Sequence, residues 1–86
     1  MSDDSSAKIL TSVRTHAVEV LDCSPDDVTP DAMLSETLDA DSIDVIEIAS
    51  ALEREYGIAI EDHEVYDLDT VGALVTLVET KVAALG

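Results

Sequence analysis

Few side chains in this sequence combine a reactive type with a position that could support chemistry, and Ser42 is the foremost of them. It stands between aspartates in the stretch DADSIDV, immediately before a segment with helical periodicity. Serine is itself a favoured helix cap, but a helix N-terminus also suits a covalently attached phosphate. Asp41 is the better N-cap candidate, and Asp44 falls in the first turn, where a carboxylate suits the positive end of the helix dipole. Ser42 is therefore either a capping residue or a site of attachment.

As a hydrolytic nucleophile, Ser42 would need a general base nearby. The sequence offers only His16 and His63 for that role, and no GxSxG motif surrounds the serine. Both histidines are expected at the surface or at the boundary of the core. Cys23 has no second cysteine as a partner and no evident activating cation, so it predicts neither a disulfide nor a reactive thiol. We therefore expect a protein that is not an enzyme.

A calcium-binding loop is the alternative chemistry. The acids and glycine of segment 67–72 occupy the first, third and sixth positions of an EF-hand loop, but Val71 and Val78 stand at the fifth and twelfth, where oxygen ligands belong. The segment that begins at Asp39 fails in the same way, with Asp44 in place of the glycine. We predict no metal site, although a small acidic calcium-binding or interaction protein remains the alternative to a role for Ser42.

The elements that position Ser42 must come from a chain of 86 residues with 20 acidic side chains, four basic ones and a net charge of -16. The chain contains no Trp and no Phe, so its core must be aliphatic, which favours helices over a β-sandwich. Such a surface repels nucleic acid and anionic lipid and attracts basic protein patches. No apolar run approaches the roughly 20 residues of a membrane span, and the acidic start MSDDSSAKIL is unlike a secretory signal. We expect a cytoplasmic monomer that binds neither nucleic acid nor a membrane.

Apolar periodicity and capping residues predict an all-α fold. We expect a single domain over residues 1–86, a four-helix bundle with three longer helices, one short third helix and a long loop between the first two. The predicted helices cover about residues 5–21, 42–56, 61–66 and 70–85, with caps at Ser5 or Ser6, Gly57 and Thr70. The long loop holds both prolines, and its expected apolar anchors are Val28, Met33, Leu34 and Leu38.

The second predicted helix carries two apolar stripes on a helical wheel. One is an ordinary core face, made of Val45, Ile48, Ala49, Leu52 and Tyr56. Ile43 and Ile46 fall on nearly the opposite side, beside Glu47, Ser50 and Arg54. A domain of this size cannot bury both faces, so the second stripe is predicted to be a docking patch rimmed by charge. The alternative is that a bend in the helix or the long loop covers Ile43.

The segment from Leu38 to Asp44, LDADSID, resembles the Leu-Gly-Ala/Gly-Asp-Ser-Leu-Asp motif of acyl carrier proteins. The similarity continues through VIEIASALEREYGIAI, through Asp62 and through Thr70-Val71, so it covers most of the chain without a gap. It implies that Ser42 carries a 4′-phosphopantetheine arm, attached from coenzyme A by a phosphopantetheinyl transferase. The thiol of the arm would hold acyl groups as thioesters.

The resemblance also implies that the second helix docks enzymes with basic patches, such as acyltransferases, ligases or ketosynthases. The residues that match this role are Asp41, Ile43, Asp44, Ile46, Glu47, Ser50 and Glu53 on the second helix, with Asp62 and Glu64 on the short one.

Three residues depart from the family pattern. Asp39 replaces the usual glycine and removes backbone freedom, Ile43 replaces the common leucine, and Arg54 stands where fatty-acid carriers usually have an acid. Arg54 either pairs with a surface acid or selects partners by repelling a generic basic patch. These departures favour a discrete carrier in polyketide or related specialised biosynthesis, and the alternatives are a carrier of primary fatty-acid synthesis or an aminoacyl carrier.

Overall fold

The computed structural model describes the backbone of residues 2–85 and the side chains of residues 6–85. The described backbone forms four α-helices, α1 (Ser2–Leu21), α2 (Ser42–Tyr56), α3 (Asp62–Tyr66) and α4 (Val71–Ala84), with a 3-10 turn at Pro25–Asp27. The predicted fold class is confirmed: an all-α bundle with three longer helices, a short third helix and a long loop after the first. Within residues 2–85, none of the helices combines the length and the apolar character that crossing a membrane would require.

The first helix begins earlier than its apolar pattern predicts. It starts at Ser2 instead of at about residue 5, so neither Ser5 nor Ser6 is its cap. Because the apolar stripe begins only at Ile9, periodicity carries no information about the preceding turn. Ser6 instead donates a hydrogen bond to Glu79 Oε2 at 2.5 Å, which ties α1 to α4.

The core is aliphatic and is built from one stripe of each long helix. The buried residues are Ile9, Val13 and Ala17 of α1, Val45, Ile48, Ala49 and Leu52 of α2, and Val71, Leu74, Val75 and Val78 of α4. The predicted core face of α2 therefore lies in the core, apart from Tyr56, which is half-buried. Burying each large aliphatic side chain contributes about 1.5–3 kcal/mol, so this stripe fixes the rotation of α2 about its axis.

The long loop is held against the start of α4 by backbone hydrogen bonds. The N–H of Leu34 donates to Asp69 O at 2.9 Å, and the N–H of Val71 donates to Ala32 O at 3.0 Å. The N–H of Gly72 donates to Pro30 O, and a Cβ on Gly72 would lie only 3.0 Å from that oxygen. Glycine is thus needed for the close approach of the two chain segments.

Apolar anchors hold the same loop from its inner side. Val28, Leu34 and Leu38 are buried as predicted, whereas Met33 is only half-buried. The loop therefore delivers the chain to the start of α2 in one defined conformation.

A polar network joins α1 to the C-terminal end of α2. His16 Nε2 lies 2.7 Å from Glu55 Oε1, and the Ser12 hydroxyl donates to Glu55 Oε2 at 2.9 Å. The same hydroxyl lies 2.8 Å from the Tyr56 hydroxyl. The hydrogen bond from His16, and then that from Ser12, lowers the pKa of the Glu55 carboxyl. His16 thus has a structural partner at the boundary of the core.

Candidate functional site

The start of α2 is fixed by a reciprocal capping box around Ser42. Asp41 is the N-cap, and its Oδ1 accepts the N–H of Asp44 at 3.0 Å, while Asp44 Oδ2 accepts the N–H of Asp41 at 3.3 Å. Ser42 is the first helical residue, and it is exposed. Asp41 thus performs the capping that Ser42 could otherwise have performed.

The turn before Ser42 is tight. Asp39 adopts the left-handed conformation, with φ of 54°, while Leu38 and Ala40 on either side are buried. The N–H of Ala40 donates to Leu34 O at 2.9 Å, which closes the turn. Asp39 therefore keeps the backbone geometry that glycine favours, although aspartate has a side chain.

A cleft opens beside Ser42, between the long loop, α2 and α3. It has a volume of about 160 Å³, and Val45, Val65 and Leu68 contribute apolar lining. Tyr66 also lines it and remains 62% exposed. Tyr66 was not predicted as a site residue, although it is one of only two aromatic residues in the sequence and lies in the polar segment EDHEVYD.

The second stripe of α2 is partly exposed. Ile43 is 66% exposed next to Ser42, and Glu47 and Arg54 are exposed further along the helix. Ile46 and Ser50 are half-buried, and Ile46 packs against the core with one side. The stripe that the wheel placed opposite the core is therefore exposed at Ile43 and half-buried at Ile46.

Besides Asp41 and Asp44 of the capping box, two further acids that match docking positions have partners within the fold. Glu53 Oε2 accepts the N–H of Ile60 at 2.9 Å and so holds the connection from α2 to α3. Glu64 Oε1 accepts the N–H of Glu61 at 3.0 Å and lies 2.9 Å from Lys81 Nζ. Both contacts lower the pKa of the Glu64 carboxyl, and the hydrogen bond from the Glu61 N–H has the larger effect. Asp62, in contrast, is exposed at the start of α3.

The residues on which the alternative chemistries depend lie on α1, α3 and α4. Glu55, the partner of His16, stands 13 residues after Ser42 on α2, so His16 lies about 20 Å along the helix axis from the serine. His63 is exposed in α3. Val71 and Val78 are buried in α4, and no cluster of three or more His, Cys, Asp or Glu side chains suited to a metal ion occurs in the described part of the chain. The buried positions of Val71 and Val78 in α4 therefore supply no side-chain oxygen where an EF-hand loop needs its fifth and twelfth ligands.

Comparison with known proteins agrees with this arrangement. Residues 11–78 match the family model described as the phosphopantetheine attachment site. The chain is 38% identical over 78 residues to an acyl carrier protein of Thermosynechococcus vestitus, covering 91% of this chain and 96% of that protein. It is 40% identical over 72 residues to an acyl carrier protein of Campylobacter hominis, covering 84% and 91%.

A solved structure shares the fold as well as the sequence similarity. The solution structure of the acetyl actinorhodin acyl carrier protein from Streptomyces coelicolor superposes with a TM-score of 0.74 at 28% identity, covering 88% of this chain and 92% of that one. The chain therefore belongs to the acyl carrier protein family, whose phosphopantetheine attachment domain carries a covalent 4′-phosphopantetheine group.

Proposed function

We propose that Ser42 is the attachment site of the 4′-phosphopantetheine arm and that residues 1–86 act as one carrier domain. The observation that carries this proposal is the exposed hydroxyl of Ser42 at the first position of α2, immediately after the Asp41 cap. When bound, the arm supplies a thiol that holds acyl groups as thioesters. The chain has no catalytic role in this proposal.

The residues around Ser42 fit a phosphate diester at that position. The N-terminus of α2 is the positive end of the helix dipole, which favours an anion there. Asp41 and Asp44 would repel a phosphate, but each already accepts a backbone N–H in the capping box. The adjoining cleft lined by Val45 and Val65 offers apolar surface beside the attachment point.

A loading assay tests the assignment. Incubation of the purified chain with coenzyme A, magnesium and a broad-range phosphopantetheinyl transferase should add one phosphopantetheinyl group, measured by intact-protein mass spectrometry. Ser42→Ala should accept none. Ser35→Ala is the matched control, because Ser35 is an exposed serine that lines the same cleft. Modification of the Ser42→Ala variant, or its loss in the Ser35→Ala variant alone, would contradict the assignment.

For the pathway, we propose polyketide or related specialised biosynthesis. Three departures from the fatty-acid carrier pattern support it, namely Asp39, Ile43 and Arg54. The structural neighbour from Streptomyces coelicolor is the actinorhodin acyl carrier protein, in its acetyl form. The alternatives are primary fatty-acid synthesis and aminoacyl transport. The mass of the acyl group on Ser42 in protein isolated from its native cell distinguishes the three.

The proposed partners are the phosphopantetheinyl transferase and enzymes with basic patches, namely acyltransferases, ligases or ketosynthases. The chain is proposed to bind them as a monomer. Ile43 supports this role because, among the side chains of residues 6–85, it is the most exposed large apolar one, and it adjoins Ser42. Glu47 and Asp62 are exposed acids on α2 and α3 and offer charge to a basic partner. The cytoplasmic location stays a prediction.

A further inference from the structure

The short helix α3 forms one wall of the cleft beside Ser42. Val65 and Tyr66 of α3 line this cleft, and so does Leu68 in the connection to α4. Any displacement of α3 relative to α2 therefore changes the width of the cleft. The position of α3 is thus a property of the site as well as of the fold.

Apolar packing alone holds α3 weakly. The helix has five residues, and Val65 is the one buried residue among them. A helix of this length is not stable by itself in water, so contacts with the rest of the molecule must hold it. Its backbone packs against α2 and makes few contacts with α4. Polar contacts are therefore needed to fix α3 in place.

Lys81 of α4 makes such a contact with Glu64 of α3. Its Nζ lies 2.9 Å from Glu64 Oε1, and both side chains are half-buried. Glu64 Oε1 also accepts the N–H of Glu61 at 3.0 Å, so one carboxylate oxygen joins α4 to the first turn of α3. Among the side chains of residues 6–85, this is the sole ion pair between α3 and α4.

The ion pair holds α3 between two other attachments of the chain. Before α3, Glu53 accepts the N–H of Ile60, and after it the connection of residues 67–70 leads directly into α4. Lys81 lies about 15 Å along the axis of α4 from Val71, where that connection ends. The chain is thus fixed before and after α3, and the ion pair prevents the helix from rotating between these two points.

We propose, on the basis of the carrier function above, that Lys81 is a positioning residue of the carrier site. Through Glu64, it holds α3 at the edge of the cleft and thereby determines how well the cleft shields an acyl group carried at Ser42. Glu64 matches a docking position of the family, but in this chain its carboxylate is engaged by Lys81. Solvent weakens a pair that is only half-buried, so losing it loosens the shielding without unfolding the domain.

The test uses the full chain, loaded at Ser42 by a phosphopantetheinyl transferase with either octanoyl or acetyl coenzyme A. Hydroxylamine cleaves each thioester to a hydroxamate and the free thiol of the arm, and intact-protein mass spectrometry gives the rate. The octanoyl chain has the longer apolar tail and can gain from the apolar lining of the cleft. Its protection is the acetyl rate divided by the octanoyl rate, corrected by the same ratio for free acyl-pantetheine.

Protection is compared for the wild type, Lys81→Gln, Lys81→Arg, Glu64→Gln and the double variant Lys81→Gln/Glu64→Gln. Glu64→Gln removes the charge but keeps an oxygen that can accept the Glu61 N–H. Lys8→Gln is the matched control, because Lys8 is an exposed base of α1 and its loss makes the same change in net charge. Circular dichroism and the melting temperature of each unloaded variant report on folding separately.

We expect a wild-type protection of about tenfold or more, and a loss of about two- to fivefold in Lys81→Gln and in Glu64→Gln. The double variant should lose no more than either single one, since all three lack the same ion pair. Lys81→Arg and Lys8→Gln should retain the wild-type protection. If Lys81→Gln does not fold, Glu64→Gln decides the comparison.

Protection in Lys81→Gln that is unchanged, or that equals that of Lys8→Gln, overturns the proposal even if the melting temperature falls, because a purely structural role would lower that temperature without exposing the probe. Losses that add up in the double variant would show that Lys81 and Glu64 act separately, which also overturns it. A wild-type chain that loads but does not protect the octanoyl group contradicts the positioning role while the carrier function stands. A chain that cannot be loaded at Ser42 overturns both.

Discussion

At the scale of single residues, Asp39 shows what a motif comparison can and cannot predict. The sequence indicated that an aspartate in place of glycine would remove backbone freedom, but it did not reveal which conformation the aspartate adopts. Asp39 has a φ of 54°, and Asp22 at the end of α1 has a φ of 56°. Aspartate tolerates the left-handed region better than other side chains because its short polar group can hydrogen-bond locally. Aspartate stands where the family pattern has glycine, but the tight turn with a positive φ is kept.

This conformation makes Asp39→Gly a stabilising substitution. Glycine adopts a positive φ without the steric cost that an L side chain incurs, so we expect the free energy of unfolding to rise by up to about 1 kcal/mol. Asp39→Val, with a branched Cβ, should lower it by about 1–2 kcal/mol. Urea denaturation followed by circular dichroism measures both.

The control for this comparison is Asp39→Asn, which removes the charge but keeps a side chain suited to the left-handed region. If Asp39→Asn stabilises the protein as much as Asp39→Gly, relief of charge repulsion explains the gain and the strain argument fails.

Other site residues differ in how far the sequence alone could place them. The N-cap at Asp41 is a local feature, so residue type and position were sufficient to predict it, whereas the reciprocal bond from Asp44 was not predicted. The bond from Ile60 N–H to Glu53 depends on how the chain turns after α2, and the position of Tyr66 beside Ser42 depends on how α3 packs. Such contacts between distant segments are not determined by a helical wheel.

At the scale of elements, the wheel of α2 predicted the direction of each side chain but not the proximity of α1. The core stripe was predicted correctly because Val45, Ile48 and Leu52 all face inward. Ile46 was predicted to be partly exposed, and it is half-buried because α1 lies alongside it. Its truncation should therefore cost more stability than the about 0.5 kcal/mol typical of surface sites.

The packing of α1 on α2 also makes the contribution of Glu55 dependent on pH. Contacts with His16 and Ser12 lower the pKa of Glu55 below its usual value of 4.5. The ionised form of Glu55 is thus more favourable in the folded protein than in the unfolded chain. Its stabilising contribution is present above about pH 4.5 and is lost as the pH falls through the lowered pKa of the folded state.

We therefore expect the difference in melting temperature between the wild type and Glu55→Gln to shrink as the pH falls below 4.5. Melts from pH 7 to pH 3 at low protein concentration measure this difference. Glu36→Gln removes the same charge from an exposed loop position and serves as the matched control. If the difference in melting temperature between Glu55→Gln and Glu36→Gln stays constant from pH 7 to pH 3, the contacts of Glu55 do not stabilise its ionised form.

At the scale of the whole molecule, composition predicted the class of fold and the sign of the surface charge. An aliphatic chain without Trp or Phe folded as helices, and its acids remain outside, since no polar or charged side chain is buried among the described residues. The path of the long loop was predicted only through its anchors. The bonds from Leu34 to Asp69 and from Val71 to Ala32 join segments more than thirty residues apart, and local pattern carries no information about such pairings.

The net charge of -16 is confined to a small volume, with a radius of gyration of 11.7 Å. Among the described side chains, the acids within 4.0 Å of a basic nitrogen are Glu64, beside Lys81, and Glu19 and Glu55, both beside His16. The Debye length falls from about 30 Å in 0.01 M salt to about 8 Å in 0.15 M salt. Repulsion therefore acts across the whole molecule at low ionic strength and only between near neighbours at the higher one.

We expect the melting temperature at pH 7 to rise by about 5 °C or more between 0.01 M and 0.15 M sodium chloride, because salt screens repulsion that destabilises the folded state. The double variant Asp31→Asn/Glu36→Gln removes two exposed loop charges and should melt higher in low salt and respond less to added salt. Calorimetry of both proteins at matched concentrations makes the comparison. A wild-type melting temperature that does not change with ionic strength would contradict this expectation. It would mean that repulsion among the acids is equal in the folded and unfolded states, because the acids are far enough apart or the unfolded chain is compact enough.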